Sequence, residues 1–79
     1  MLELLKPIDF EIEERNGLFE SYFAPLGIYG GGVTPEEAKQ DALDMLESLY
    51  RVYVESNHPQ SEDVVKFAER LKEYCRREK

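Results

Sequence analysis

Thr34-Pro35-Glu36-Glu37-Ala38 restricts the fold of this 79-residue chain more than any other segment, because it writes a helix start directly behind the glycine run 30–32. A threonine hydroxyl accepts an amide proton of the first turn, and proline at the first helical position lacks only a donor that would go unused. Glu37 stands where the reciprocal half of a capping box belongs. Beyond it, Ala38, Ala42, Met45, Leu46, Leu49 and Tyr53 recur at three and four residues, while Lys39, Gln40, Asp44, Glu47 and Arg51 take the other side. That period predicts one long amphipathic helix over residues 34–55 lying on a sheet. Val52-Tyr53-Val54 has strand-like composition, and continued helix is the preferred reading over a short fourth strand.

Ahead of the helix the period changes to two. From Leu2 to Ile12 the even positions are mostly apolar, whereas Asp9, Glu11 and Glu13 face the other way, as in a strand with one wet side. Pro7 removes a ladder donor, so the strand there is either an edge or a bulge from which its first residues diverge. Asn16-Gly17 marks a type I′ hairpin. A two-residue loop sets Arg15 opposite Leu18, Ile12 opposite Ser21 and Phe10 opposite Phe23. This register keeps Ile8, Phe10, Ile12, Phe19 and Phe23 on one face. It also opposes Glu13 and Glu20, two like charges on the wet side. Pro25-Leu26-Gly27 breaks the second strand, and a third follows over Ile28 to Val33, where glycines permit a bulge, a positive φ or a close backbone approach. After a turn at 56–60, Ser61 reads as the cap of a second helix with Val64, Phe67, Ala68, Leu71, Tyr74 and Cys75 on one face. The expectation is a single α+β domain over 1–79: a three-stranded antiparallel sheet (1–33), a main helix (34–55) in β-β-β-α order, and a C-terminal helix (61–79). So short a chain hides only about 60 to 65% of its unfolded surface. Self-association as a dimer or larger through Leu2, Leu4 and Leu5 is expected to complete its core.

The formal net charge of −7 is unevenly spread. Residues 1–63 hold fourteen acidic side chains against Lys6, Arg15, Lys39 and Arg51, whereas residues 64–79 hold six basic ones against Glu69, Glu73 and Glu78. The body therefore repels phosphate and favours a basic protein partner. Only the tail, through Lys66, Arg70 and Arg77, offers a candidate nucleic-acid contact, and a weak one, since cations near a helix C-terminus also complement its dipole. No apolar run approaches the ~20 residues of a membrane span, and Met1-Leu2-Glu3-Leu4-Leu5-Lys6-Pro7 is unlike an export leader. The expected address is the cytoplasm, in keeping with a lone cysteine, Cys75, read as a small buried hydrophobe.

Reaction chemistry is hard to find. The glycine run lacks a Gly-Lys-Ser/Thr ending and is followed by two glutamates, so it reads as a structural strand-to-helix turn rather than a phosphate cradle. His58, the sole histidine, has no metal-ligand companions, and Glu37, Asp41, Asp44 and Glu47 read as a solvated helical stripe. No nucleophile, base and orienting group occur together, so neither catalytic residues nor a metal or cofactor are expected. What remains is the wet hairpin face. Glu11, Glu13, Glu20 and Tyr22, joined by Tyr29 on the third strand, form the candidate partner-contact surface, tyrosine being enriched at interfaces.

The run Tyr22-Phe23-Ala24-Pro25-Leu26-Gly27, followed by Gly32, Thr34, Glu37 and Ala38, resembles the signature of HicB antitoxins. That signature is an aromatic strand, a Pro-Leu-Pro-Gly-like corner, then Gly-x-Thr-x-x-Glu-Ala opening a helix. The resemblance spans about residues 8–55. It implies a truncated ribonuclease-H-like module without nuclease chemistry that binds and neutralises a small basic RNA-cleaving toxin of the HicA type and commonly forms dimers or larger oligomers. The corner here, Ala24-Pro25-Leu26-Gly27, lacks the second proline and the usual acidic residue. One basic helix after Pro59 is too little for an ordinary DNA-binding domain, so operator binding is not implied. The alternative expectation is a solitary homo-oligomeric structural or regulatory protein of the same fold, with weak nucleic-acid contact through its basic C-terminal helix.

Overall fold

The computed structural model describes residues 2–55 and 61–77, so His58 and the 56–60 turn lie outside the described residues. In chain order the elements are β1 (Leu2–Leu4), β2 (Glu11–Arg15), β3 (Leu18–Phe23), β4 (Ile28–Gly32), α1 (Pro35–Tyr53), α2 (Glu62–Tyr74) and β5 (Cys75–Arg77). The fold is α+β: an antiparallel sheet in the order β2-β3-β4 packs against α1, and α2 follows as a C-terminal helix. The chain forms two compact units, Asp9–Leu46 and Met1–Ile8 with Glu47–Lys79, and α1 begins in the first and ends in the second.

In the first unit the hairpin takes the expected register. Ile12 lies opposite Ser21, Glu13 opposite Glu20 and Arg15 opposite Leu18. Asn16 (φ 52°) and Gly17 (φ 81°) adopt the left-handed conformation that a two-residue connection between twisted strands requires. Phe10 precedes β2 yet still meets Phe23 edge-to-face, with ring centroids 6.2 Å apart. Strict alternation along β3 and β4 buries Ser21, Phe23, Ile28 and Gly30 and exposes Glu20, Tyr22, Tyr29 and Gly31. Against the buried side lie Ala38 and Ala42 of α1, both fully buried. Small residues on both surfaces let backbone approach backbone: a Cβ on Gly30 would stand 2.3 Å from the Ala42 nitrogen and 2.4 Å from the Ala38 oxygen. Ser21 fits the same contact, donating its hydroxyl to the Ala38 carbonyl at 2.6 Å.

The helix start follows the sequence, with one difference. Thr34 Oγ1 accepts the Glu37 amide at 3.1 Å, but the Glu37 carboxylate reaches back past Thr34 to the amide of Val33, at 2.9 Å. One turn on, Asp41 accepts the Gly31 amide at 2.9 Å. Both amides belong to the outer edge of β4 and its continuation, so two helical carboxylates occupy donors that a sheet edge leaves open. The stripe read as merely solvated is thus partly structural. Helix α1 runs to Tyr53, so Val52 and Tyr53 are helical as expected, whereas Val54 and Glu55, expected to continue the helix, form a turn and a bend.

The second unit departs further from the sequence reading. Residues 2–4 do not extend the hairpin strand; they form β1, paired antiparallel with β5, so that Leu2, Glu3 and Leu4 face Arg77, Arg76 and Cys75. Pro7, with no amide to give, lies in the irregular stretch that separates β1 from β2. At the other end α2 stops at Tyr74 instead of continuing through the tail, because Cys75 turns to extended backbone (φ −155°, ψ 162°). Ser61 caps α2 as expected, accepting the Val64 amide at 3.4 Å. Ala68, Leu71 and Cys75 are buried, and Phe67 meets Tyr53 edge-to-face at 5.2 Å.

Candidate functional site

The exposed side of the β2-β3-β4 sheet carries a regular grid. Cross-strand pairing aligns Glu11, Tyr22 and Tyr29 in one row and Glu13, Glu20 and Gly31 in the next, and Arg15 stands beside Leu18 in a third. The five residues expected to contact a partner, Glu11, Glu13, Glu20, Tyr22 and Tyr29, therefore converge on one face. They line an open groove of about 670 Å³ together with Gly31 and Asp41. Tyr22 and Tyr29 are 42% and 63% exposed, so two aromatic rings lie available to solvent rather than in the core.

The electrostatics of this face are one-sided. Four carboxylates and no basic side chain line the groove. Glu13 and Glu20 are direct cross-strand partners, an arrangement that destabilises a sheet when the charges are alike. The nearest compensation comes from Arg15, whose guanidinium reaches Glu13 Oε2 at 3.4 Å from the hairpin end of the same face. Asp41 enters at the β4 edge, fixed there by its hydrogen bond from Gly31. Sequence reading missed its part because it counted Asp41 among the helix's solvated residues; the signal was its spacing, one turn beyond Glu37.

Gly27, Gly32, Thr34, Glu37 and Ala38 of the family-like pattern are structural supports of this sheet, whereas Tyr22 of the same pattern lies on the face itself. Gly27 (φ 64°) turns the chain between β3 and β4, its amide bonding the Ala24 carbonyl at 3.1 Å. Gly32 lies under Glu37, where a Cβ would come within 2.5 Å of the Glu37 Cβ. Thr34 and Glu37 form the cap, and Ala38 is the buried acceptor for Ser21. Gly30, which the pattern does not include, makes the tightest approach of all.

Three of the basic tail residues, Lys66, Arg76 and Arg77, are tied to carboxylates within the second unit. Lys66 pairs with Glu62 at 3.5 Å, and Arg76 meets its cross-strand neighbour Glu3 at 2.8 Å. Arg77 lies in β5, not on a helix, and spans Glu47 at 2.6 Å and Glu55 at 2.5 Å while its guanidinium sits 5.6 Å from the centre of the Tyr50 ring. Arg77 hydrogen bonds hold both glutamates below their ordinary value of 4.5. A lowered carboxylate pKa gives stability that is present above the unfolded value and fades as pH falls through the folded one. Arg77→Met is accordingly expected to lower the melting temperature at pH 7, with the gap to wild type shrinking as the two carboxylates protonate below pH 4.5. The residual gap reflects lost packing on Tyr50. A gap that stays constant from pH 7 to pH 3 in thermal melts rules this assignment out.

Burial pushes the Cys75 thiol up to about 11, far from the reactive thiolate form. Among the described residues no group of three or more His, Cys, Asp or Glu side chains is placed to hold a metal ion, and no helix is long and apolar enough to cross a membrane. Compared with protein-family profiles, curated proteins and solved structures, the chain matches none.

Proposed function

We propose that this chain is a non-enzymatic, HicB-like antitoxin module that binds and neutralises a small basic RNA-cleaving toxin through the exposed face of its β2-β3-β4 sheet. One observation carries the reading. The Glu13–Glu20 pair places like charges directly opposite each other on a surface with two exposed tyrosines. Its sequence costs stability where a neutral or opposite-charge pair would add it, and such local conflicts concentrate at functional surfaces. A basic partner resolves the conflict by supplying the missing cations, and the field of the acidic face speeds its approach. A three-stranded sheet backed by a helix is also the architecture that the sequence resemblance implies. The proposed setting is the cytoplasm, with self-association through Leu2, Leu4 and Leu5, of which Leu4 and Leu5 are exposed and Leu2 is half-buried. The alternative is a solitary homo-oligomeric structural or regulatory protein of the same fold with weak nucleic-acid contact through its tail, where Lys66 and Arg77 already have carboxylate partners.

Where a small basic open reading frame lies next to its gene, co-expression with it is expected to yield a complex that survives purification and to relieve growth arrest caused by that neighbour alone. A neighbour that arrests growth and is neither bound nor relieved overturns the proposal.

A further inference from the structure

We infer that the dip above Gly31 is a socket for an arginine side chain presented by a protein partner. The inference rests on the reading of this face as a protein-binding surface and adds the chemical group recognised there. In the central row, Glu13 and Glu20 project from the sheet while Gly31 projects nothing, so the lining of the groove lacks a side chain at this point of β4. A Cβ at Gly31 would meet only the Phe19 carbonyl oxygen, at 3.6 Å, an ordinary contact. Packing thus does not demand glycine at this position, in contrast to Gly30 beneath α1. The space is left on the solvent side.

The lining selects a cation. Glu11, Glu13, Glu20 and Asp41 surround the dip, and Asp41 is held at its rim by the Gly31 amide. These carboxylates are dispersed around an opening rather than gathered about one point, and they make no metal-ion cluster among the described residues. A bare ion satisfies few such groups at once; a planar cation with five N–H donors reaches several. Tyr22 and Tyr29, adjacent across the strands at one side of the dip, offer ring faces on which a guanidinium stacks better than a compact, strongly hydrated ammonium. The face already holds one guanidinium, that of Arg15 on Glu13, at its hairpin end. Phosphate-bearing ligands are repelled by the same four carboxylates, which leaves an arginine-bearing protein segment as the occupant.

The test uses the full chain, labelled for backbone amide NMR, titrated with the blocked tripeptide Gly-Arg-Gly and its citrulline and lysine counterparts. The arginine peptide is expected to shift the Glu20, Tyr22, Tyr29 and Gly31 amides saturably. The neutral citrulline peptide should bind about tenfold more weakly or worse, since its charge-assisted hydrogen bonds are lost. Gly31→Val fills the dip and is expected to abolish the shifts while the melting temperature holds, and Glu20→Gln, an isosteric neutral change, is expected to weaken them. Equal binding of arginine and citrulline peptides, shifts located elsewhere, or unaltered titration by Gly31→Val overturns the inference. The basic partner separates the two proposals. If it binds wild type and a folded Gly31→Val variant equally, the socket is wrong and the antitoxin reading stands. If the arginine peptide saturates the dip while no basic neighbour is bound, the socket stands and the antitoxin reading fails.

Discussion

Gly30→Ala is expected to unfold the sheet from its helix, lowering stability by about 3 kcal/mol and the melting temperature by roughly 15 °C. The methyl group would collide with backbone atoms of Ala42 and Ala38 at 2.3 and 2.4 Å, and backbone cannot rotate aside as a side chain can. Separating the two layers also pulls Ser21 away from the Ala38 carbonyl, leaving a hydroxyl that is 1% exposed without its acceptor. Removing a glycine ordinarily gives back about 0.4 to 1 kcal/mol through the unfolded chain, too little to offset such overlap. Gly31→Ala is the matched control. Its Cβ points to the opposite side of the same strand, where it makes only an ordinary contact with the Phe19 carbonyl oxygen at 3.6 Å, so its melting temperature should stay at or slightly above that of wild type. Thermal melts of the two variants side by side decide the point, and similar losses in both would contradict the close packing of α1 on β4.

Glu20→Lys is expected to have opposite effects on folding and binding. Opposite Glu13 it converts a repulsive cross-strand pair into an attractive one, adding about 0.5 kcal/mol to the sheet. On the docking face it puts a cation where a basic partner must bring its own, and like charges brought together in an interface cost several kcal/mol, so affinity should fall about 100-fold or more. A variant that melts higher yet no longer rescues growth separates a binding defect from a folding one. A complex of unchanged affinity would remove this face from consideration, whatever the fate of the toxin hypothesis.

The legible parts of the fold were those with local causes. Asn16-Gly17 specified a two-residue turn, and the apolar alternation around it admitted one register, which the pairing of Ile12 with Ser21 and Glu13 with Glu20 reproduces. Thr34, Pro35 and Glu37 likewise announced the helix start, although the carboxylate of Glu37 bonds one residue earlier than a capping box requires. The β1-β5 pairing was not legible. Its strands are three residues each, separated by most of the chain, and the Cys75–Arg77 strand follows directly on a helix-periodic pattern that gives no stop signal. The same logic applies to the candidate site. Alternation sufficed to put Glu11, Glu13, Glu20 and Tyr22 on one side, but Asp41 joins them only because α1 passes close to the β4 edge. That proximity depends on Gly30, and its cause is tertiary.

The carboxylates of Glu37 and Asp41 have a consequence for how the sheet can be extended. An unpaired strand rim is a template onto which further chains add, the elementary step of fibril growth. Along β4 the Gly31 and Val33 amides are already engaged by the helix, so an incoming strand finds two of the rim's donors taken. At the far side β2 presents Glu11, Glu13 and Glu14, which oppose a second copy of themselves while accepting a strand rich in lysine or arginine. Runaway stacking of identical chains is thereby discouraged at both rims, and the one addition left electrostatically favourable is a foreign, positively charged strand.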